Sequence, residues 1–199
     1  MFPEAAPGLP ESAPGLPEAA PGVVRTITLA TADDTCALGA ALGLLLRAGD
    51  LLVLTGDLGA GKTTLTRGIG EGLGVRGPVT SPTFVIARVH PTLVGGPALV
   101  HADAYRLGGR LELEDLDLDA SLEQSVTVVE WGHGVAELLS DDRIEVVLQV
   151  DSAHVGADSA DGGGDEPRTA SITTAGARWA TPSAAAALDA LVLRPGSSG

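Results

Sequence analysis

The chain has 199 residues, 44% of them hydrophobic, and a formal net charge of -14; it can bury one sizeable core, and compositional breaks at both ends predict a folded part shorter than the whole. That charge makes broad contact with a nucleic acid backbone unfavourable unless a partner supplies the basic surface, which excludes an autonomous tRNA or DNA binder. The sole cysteine, Cys36, excludes an internal disulfide and makes a reducing interior the simpler setting; in its apolar helical run it reads as a small buried hydrophobe.

At the start, Met1-Phe2-Pro3-Glu4 has neither a basic stretch nor an apolar signal core, so no export signal is expected. Three seven-residue units follow, Pro3 to Leu9, Pro10 to Leu16 and Pro17 to Val23, with proline at the first and fifth positions. Proline that frequent forbids helix, so residues 1–23 are expected to form a disordered, polyproline-leaning extension. A single domain is expected over 24–194, with a Gly/Asp-rich mobile loop at 152–167 and a disordered tail at 195–199.

Val24 to Leu29 alternates like an edge strand. Thr31 with Asp34 three residues on has the form of a capping box, Ala37 to Leu46 carries helical spacing, and Gly49 suits a stop. The longest apolar run, Cys36 to Leu46, is too short to span a bilayer. Leu51 to Thr55 reads as a buried strand, and Thr64 to Leu73 as part of a helix beginning near Lys62.

Between strand and helix lies Gly56-Asp57-Leu58-Gly59-Ala60-Gly61-Lys62-Thr63-Thr64, a phosphate cradle of the form G-x-x-x-x-G-K-[ST]. Its glycines admit backbone conformations that turn successive N–H groups towards an anion, and the helix start adds positive dipole character. Lys62 is the only lysine in the chain, a compact ammonium in a sequence whose other fixed cations are arginines.

Thr80-Ser81-Pro82-Thr83 is a hydroxyl-rich loop before a strand from Phe84 to His90, in the slot where nucleotide-sensing switches sit. A Pro/Gly turn, 91–97, leads to a strand from Ala98 that places His101, Asp103 and Tyr105 on one face. Residues 111–119 alternate leucine with acids, as a strand, short helix or loop. Val126 to Gly132 delivers Glu130 at the C-terminal end of a buried strand, where parallel sheets bind ligands. A helix from His133 to Leu139, a strand from Ile144 to Val150, a hairpin of 168–174 with 177–180, and a helix from Ser183 to Leu193 complete the order. The predicted class is α/β: a P-loop NTPase-like three-layer fold with a mixed, mainly parallel central sheet flanked by helices.

The chemistry expected of this order is phosphoryl transfer with Mg²⁺ and a nucleoside triphosphate. Residues Asp57, Leu58, Gly59, Ala60, Gly61, Lys62, Thr63 and Thr64 would cradle the nucleotide, Lys62 taking the β- and γ-phosphates, Thr64 the α-phosphate and Thr63 the metal. A second metal contact is expected from Asp103 or Glu130. Each carboxylate has a structural alternative, Asp103 as a strand-end cap and Glu130 as partner to an arginine. His101 reads as a hydrogen-bonded structural histidine. Thr83 is either a switch residue or part of a turn.

Together, the cradle, Ser81-Pro82-Thr83-Phe84, His101-Ala102-Asp103-Ala104-Tyr105-Arg106-Leu107 and Glu130-Trp131 resemble the TsaE family, also called YjeE, over about residues 25–150. The resemblance implies a small cytoplasmic ATPase working with TsaB and TsaD subunits to make threonylcarbamoyladenosine beside the anticodon of tRNAs, touching tRNA indirectly and neither membrane nor DNA. It further implies Thr63 and Glu130 as metal-site residues, Asp103 as required for hydrolysis, Thr83 in the switch loop and Trp131 at the nucleotide site or a partner surface. Arg106 is a candidate finger in cis. Two alternatives compete: a small-molecule or nucleoside kinase, and a nucleotide-gated adaptor without essential hydrolysis.

Overall fold

The apolar run ending at Thr55 lies in the middle of a sheet in the computed structural model, which describes residues 23–82, 87–104, 123–134, 136–151 and 166–192. The strands are β1 Arg25–Leu29, β2 Leu51–Thr55, β3 Ala87–His90, β4 Ala98–Asp103, β5 Ser125–Glu130, β6 Arg143–Val150 and β7 Arg168–Ala175. They form one seven-stranded sheet in the order β1-β7-β6-β2-β5-β4-β3. The four strands from β6 to β4 run parallel, while β7, β1 and β3 join antiparallel towards the two edges.

Burial on both faces explains why β2 is apolar at successive positions rather than alternate ones. Leu52 and Leu54 enter the larger core with Val126, Val128, Ile144 and Val146. Leu51 and Val53 enter a smaller core on the other face, with Val100, Val129 and Ala136. The helices are α1 Ala32–Gly43, α2 Lys62–Leu73 and α3 Pro182–Val192; Leu38, Leu42, Leu65, Ile69 and Leu188 carry them onto the larger core.

The capping box predicted for α1 is present: Asp34 N–H donates to Thr31 Oγ1 at 3.0 Å, and Thr31 N–H to Asp34 Oδ2 at 3.0 Å. What holds α1 to α2 is an absence of side chains. A methyl at Gly39 would strike the Leu65 carbonyl, one at Gly68 the Cys36 carbonyl, and one at Gly72 the Ala40 carbonyl. The two helices therefore touch backbone to backbone, and the loop feeding α2 inherits a fixed position. Cys36, read as a buried hydrophobe, is half-buried at this seam, its Sγ 3.7 Å from Glu71 Oε2; burial, then Glu71, pushes the thiol pKa up.

Several predicted elements differ in extent. The first helix ends at Gly43 rather than Leu46, because Leu45 and Leu46 bond back three residues, to Leu42 and Gly43, and that tighter turn still buries Leu46. In place of a helix at 133–139 there is a single 3-10 turn, Ala136–Leu138, following Gly134 at φ +83°. The predicted hairpin is one strand, β7; 177–180 is a turn beyond it, where Arg178 and Trp179 leave the sheet to bind elsewhere. The strand at 84–90 is seen as β3, with 84–86 outside the described residues, as are 105–122, which include the 111–119 stretch.

Candidate nucleotide site

The loop from Gly56 to Gly61 joins the C-terminal end of β2 to the first residue of α2. Gly61 caps the helix at φ +102°, a conformation costly for any residue with a Cβ, and a Cβ there would also stand 2.9 Å from Arg168 Nη1. Of the cradle residues, Asp57, Leu58 and Gly59 form the exposed outer bend and Ala60 is buried. Gly61, Lys62, Thr63 and Thr64 line a cavity of about 480 Å³, together with Leu58, Gly59, Ser81, Asp103, Glu130 and Trp131. The N–H groups of the first turn of α2, which by helix geometry have no acceptor within the helix, face the same loop.

Lys62 is 5% exposed. Its Nζ donates to the carbonyls of Gly56 at 2.7 Å and Asp57 at 2.9 Å and sits 3.9 Å from the Trp131 ring centroid. Burial lowers its pKa, while Glu130, Asp103 and Asp57 act in the opposite direction. Trp131 holds φ at +60°, a conformation that costs a bulky residue roughly 1–3 kcal/mol; its backbone N–H donates to the Leu54 carbonyl at 2.8 Å, which ties the main chain that carries the ring to the end of β2.

Asp103 and Glu130 are paired in register at the ends of the adjacent parallel strands β4 and β5, so the sheet itself brings two carboxylates to one cavity. Thr63 Oγ1 lies 3.0 Å from Glu130 Oε1 and 3.3 Å from Oε2. His101 Nε2 lies 2.8 Å from Glu130 Oε1; the partner of Glu130 is thus an imidazole and a hydroxyl, where a structural reading expected an arginine. A hydroxyl and two carboxylates form an all-oxygen donor set, the kind that suits Mg²⁺. Thr83 and Arg106 lie outside the described residues.

Two residues escaped sequence reasoning. Arg168 is 8% exposed at the start of β7, beside the C-terminal end of β6 through its register with Val150, and its guanidinium abuts Gly61. No local motif marks it, because pairing across strands brings it to the loop. Ser81 lines the cavity; the sequence places it in the hydroxyl-rich loop of the switch slot but marks no role for its own side chain.

Sheet, glycine loop and helix start are arranged as in the P-loop folds, and that is the class to which this fold belongs. A family model described as "Threonylcarbamoyl adenosine biosynthesis protein TsaE" matches residues 29–157. Among similar proteins, the tRNA threonylcarbamoyladenosine biosynthesis protein TsaE of Streptomyces coelicolor is 65% identical over 145 residues, covering 72% of this chain and 93% of that protein. Its Bacillus subtilis counterpart is 37% identical over 148 residues, 74% of this chain and 84% of that protein. The crystal structure of Bacillus subtilis YdiB superposes with a TM-score of 0.61 at 29% identity, covering 85% of this chain and 95% of that one. The chain belongs to the TsaE family of threonylcarbamoyladenosine biosynthesis proteins. Among the described residues no helix is long and apolar enough to cross a membrane.

Proposed function

We propose that this chain is an Mg²⁺-dependent ATPase of the cytoplasm that acts with TsaB and TsaD subunits in forming threonylcarbamoyladenosine on tRNA, its hydrolysis of ATP resetting the complex. The observation that carries the reading is Lys62: a desolvated ammonium bonded to main-chain carbonyls at a cavity whose other wall holds two carboxylates. Burying a cation beside carbonyls that a phosphate can outcompete is costly without an anionic ligand.

In this reading the loop amides and Lys62 bind the β- and γ-phosphates, and Arg168, against Gly61, adds positive charge to the same loop. Thr63 and Glu130 would hold Mg²⁺ with Asp103 beside them; the ion would neutralise phosphate charge as the bond to the leaving ADP oxygen breaks. Asp103 and Glu130 orient water, and Thr83 belongs to the loop that senses the γ-phosphate. The net charge of -14 leaves tRNA contact to the partners.

The test is calorimetry of ATP with and without Mg²⁺, followed by phosphate release and tRNA product measured with and without TsaB and TsaD. Magnesium-assisted binding and partner-stimulated hydrolysis are expected. A phosphorylated metabolite in place of free phosphate would favour a kinase. Complex assembly abolished by Lys62→Ala, with Glu130→Ala blocking hydrolysis yet leaving the tRNA product intact, would favour the adaptor.

A further inference from the structure

His101 has no task in the scheme above, yet it is fully buried in β4, between the apolar positions Val100 and Ala102. Only its Nε2 is partnered, with Glu130 Oε1 at 2.8 Å; Nδ1 is buried without a hydrogen-bond partner. An unpaired buried polar atom costs about 1–3 kcal/mol, which an aliphatic residue would avoid. The carboxylate is an acceptor, so this bond places the ring proton on Nε2. Glu130 Oε1 thus accepts from both the imidazole and Thr63 Oγ1 at 3.0 Å, while Oε2 has the longer 3.3 Å contact with the same hydroxyl. Of the two oxygens, Oε2 is the one more easily released to another ligand.

We propose that His101 is a positioning residue for the cation of this site: its Nε2–H pins Oε1 of Glu130, turning Oε2 and the Thr63 hydroxyl towards the divalent ion. The inference rests on the ATPase reading and adds the means by which the metal carboxylate is aimed. A ligand's outer hydrogen-bond partner sets its orientation, and loss of such partners typically weakens metal binding about 10- to 100-fold.

The test pairs two polar substitutions in the full chain. In His101→Gln the amide nitrogen reaches the place of Nε2; in His101→Asn it stops near Nδ1. Mn²⁺ uptake in the presence of ADP, followed by electron paramagnetic resonance, is expected to be near that of the unsubstituted chain for His101→Gln and about 10- to 100-fold weaker for His101→Asn. ADP binding in EDTA should match in all three. Equal Mn²⁺ affinity in the Asn and Gln variants would overturn the assignment, as would a loss of metal-free ADP binding parallel to the loss of Mn²⁺. If the unsubstituted chain takes up no Mn²⁺ with ADP, the ATPase reading fails, and this inference with it. If only the Asn–Gln contrast is missing, that reading stands and His101 is framework.

Discussion

Two carboxylates are buried at opposite ends of the parallel strands. Asp50, just before β2, is 2% exposed, and Glu130, at the end of β5, is 3% exposed. Asp50 is closed off: Arg178 Nε donates to Oδ1 at 2.7 Å, Nη2 to Oδ2 at 2.8 Å, and the Arg47 N–H to Oδ2 at 2.9 Å. The guanidinium is itself held, 4.2 Å from the Trp179 ring. Glu130 receives an imidazole and a hydroxyl, while the nearby ammonium of Lys62 is bonded to carbonyls. A buried carboxylate with a fixed bidentate guanidinium is framework. One that faces a cavity with exchangeable partners has room for a ligand.

The largest effect should come from breaking the closed end. Asp50→Ala leaves Arg178 half of a buried pair, and unfolding free energy should drop by about 3–5 kcal/mol, read as a lower midpoint in urea; a change under about 1 kcal/mol would remove the contrast between the ends. Lys62→Ala should do the reverse. ATP affinity should fall about 10- to 100-fold, the worth of roughly 1.5–3 kcal/mol for a charged hydrogen bond, while the thermal midpoint holds or rises because burial disfavours the ammonium. Calorimetry and a melt on the same sample decide it.

Between the ends, Gly68→Ala tests whether α2 is held by backbone contact. Overpacking against the Cys36 carbonyl should cost about 1–3 kcal/mol, and a neutral result would show that the two helices can separate freely. The smallest effect concerns His90. Its pKa is lowered by burial first, then by His101 and Arg88, so the unfolded chain takes up a proton at a higher pH than the folded one does. Stability from this group is therefore present above the ordinary histidine range, about 6.5, and falls as pH drops below it, until the folded imidazole also titrates. The slope is at most about 1.4 kcal/mol per pH unit. Denaturation of His90→Gln between about pH 5 and 7 should show a shallower fall than the unsubstituted chain.

The parts of the site that could be read in advance are local. Gly56 to Thr64 is one continuous strand–loop–helix, and glycine, lysine and threonine at that spacing have few other uses. Glu130 and Asp103 were legible because each ends an apolar strand, and register makes them neighbours. Elements that failed were ones in which the local pattern competes with a distant partner. Arg178 and Trp179 resemble the return strand of a hairpin, yet Arg178 binds Asp50, 128 positions away in sequence. Likewise, Ala37 to Leu46 keeps helical spacing past the point where the backbone tightens to bury Leu46.

Composition and spacing alone thus determined an α/β chain built around a phosphate loop, the order of its main strands, and the residue types gathered at their C-terminal ends. The tertiary structure decided which oxygen of Glu130 is engaged, that His101 engages it, that Arg168 reaches Gly61, and that α1 and α2 meet through bare glycines. The division has a physical cause. Backbone preference and side-chain periodicity act over a few residues and are written in neighbouring positions. Hydrogen-bond pairing, close approach and desolvation act between groups whose proximity exists only once the sheet has formed.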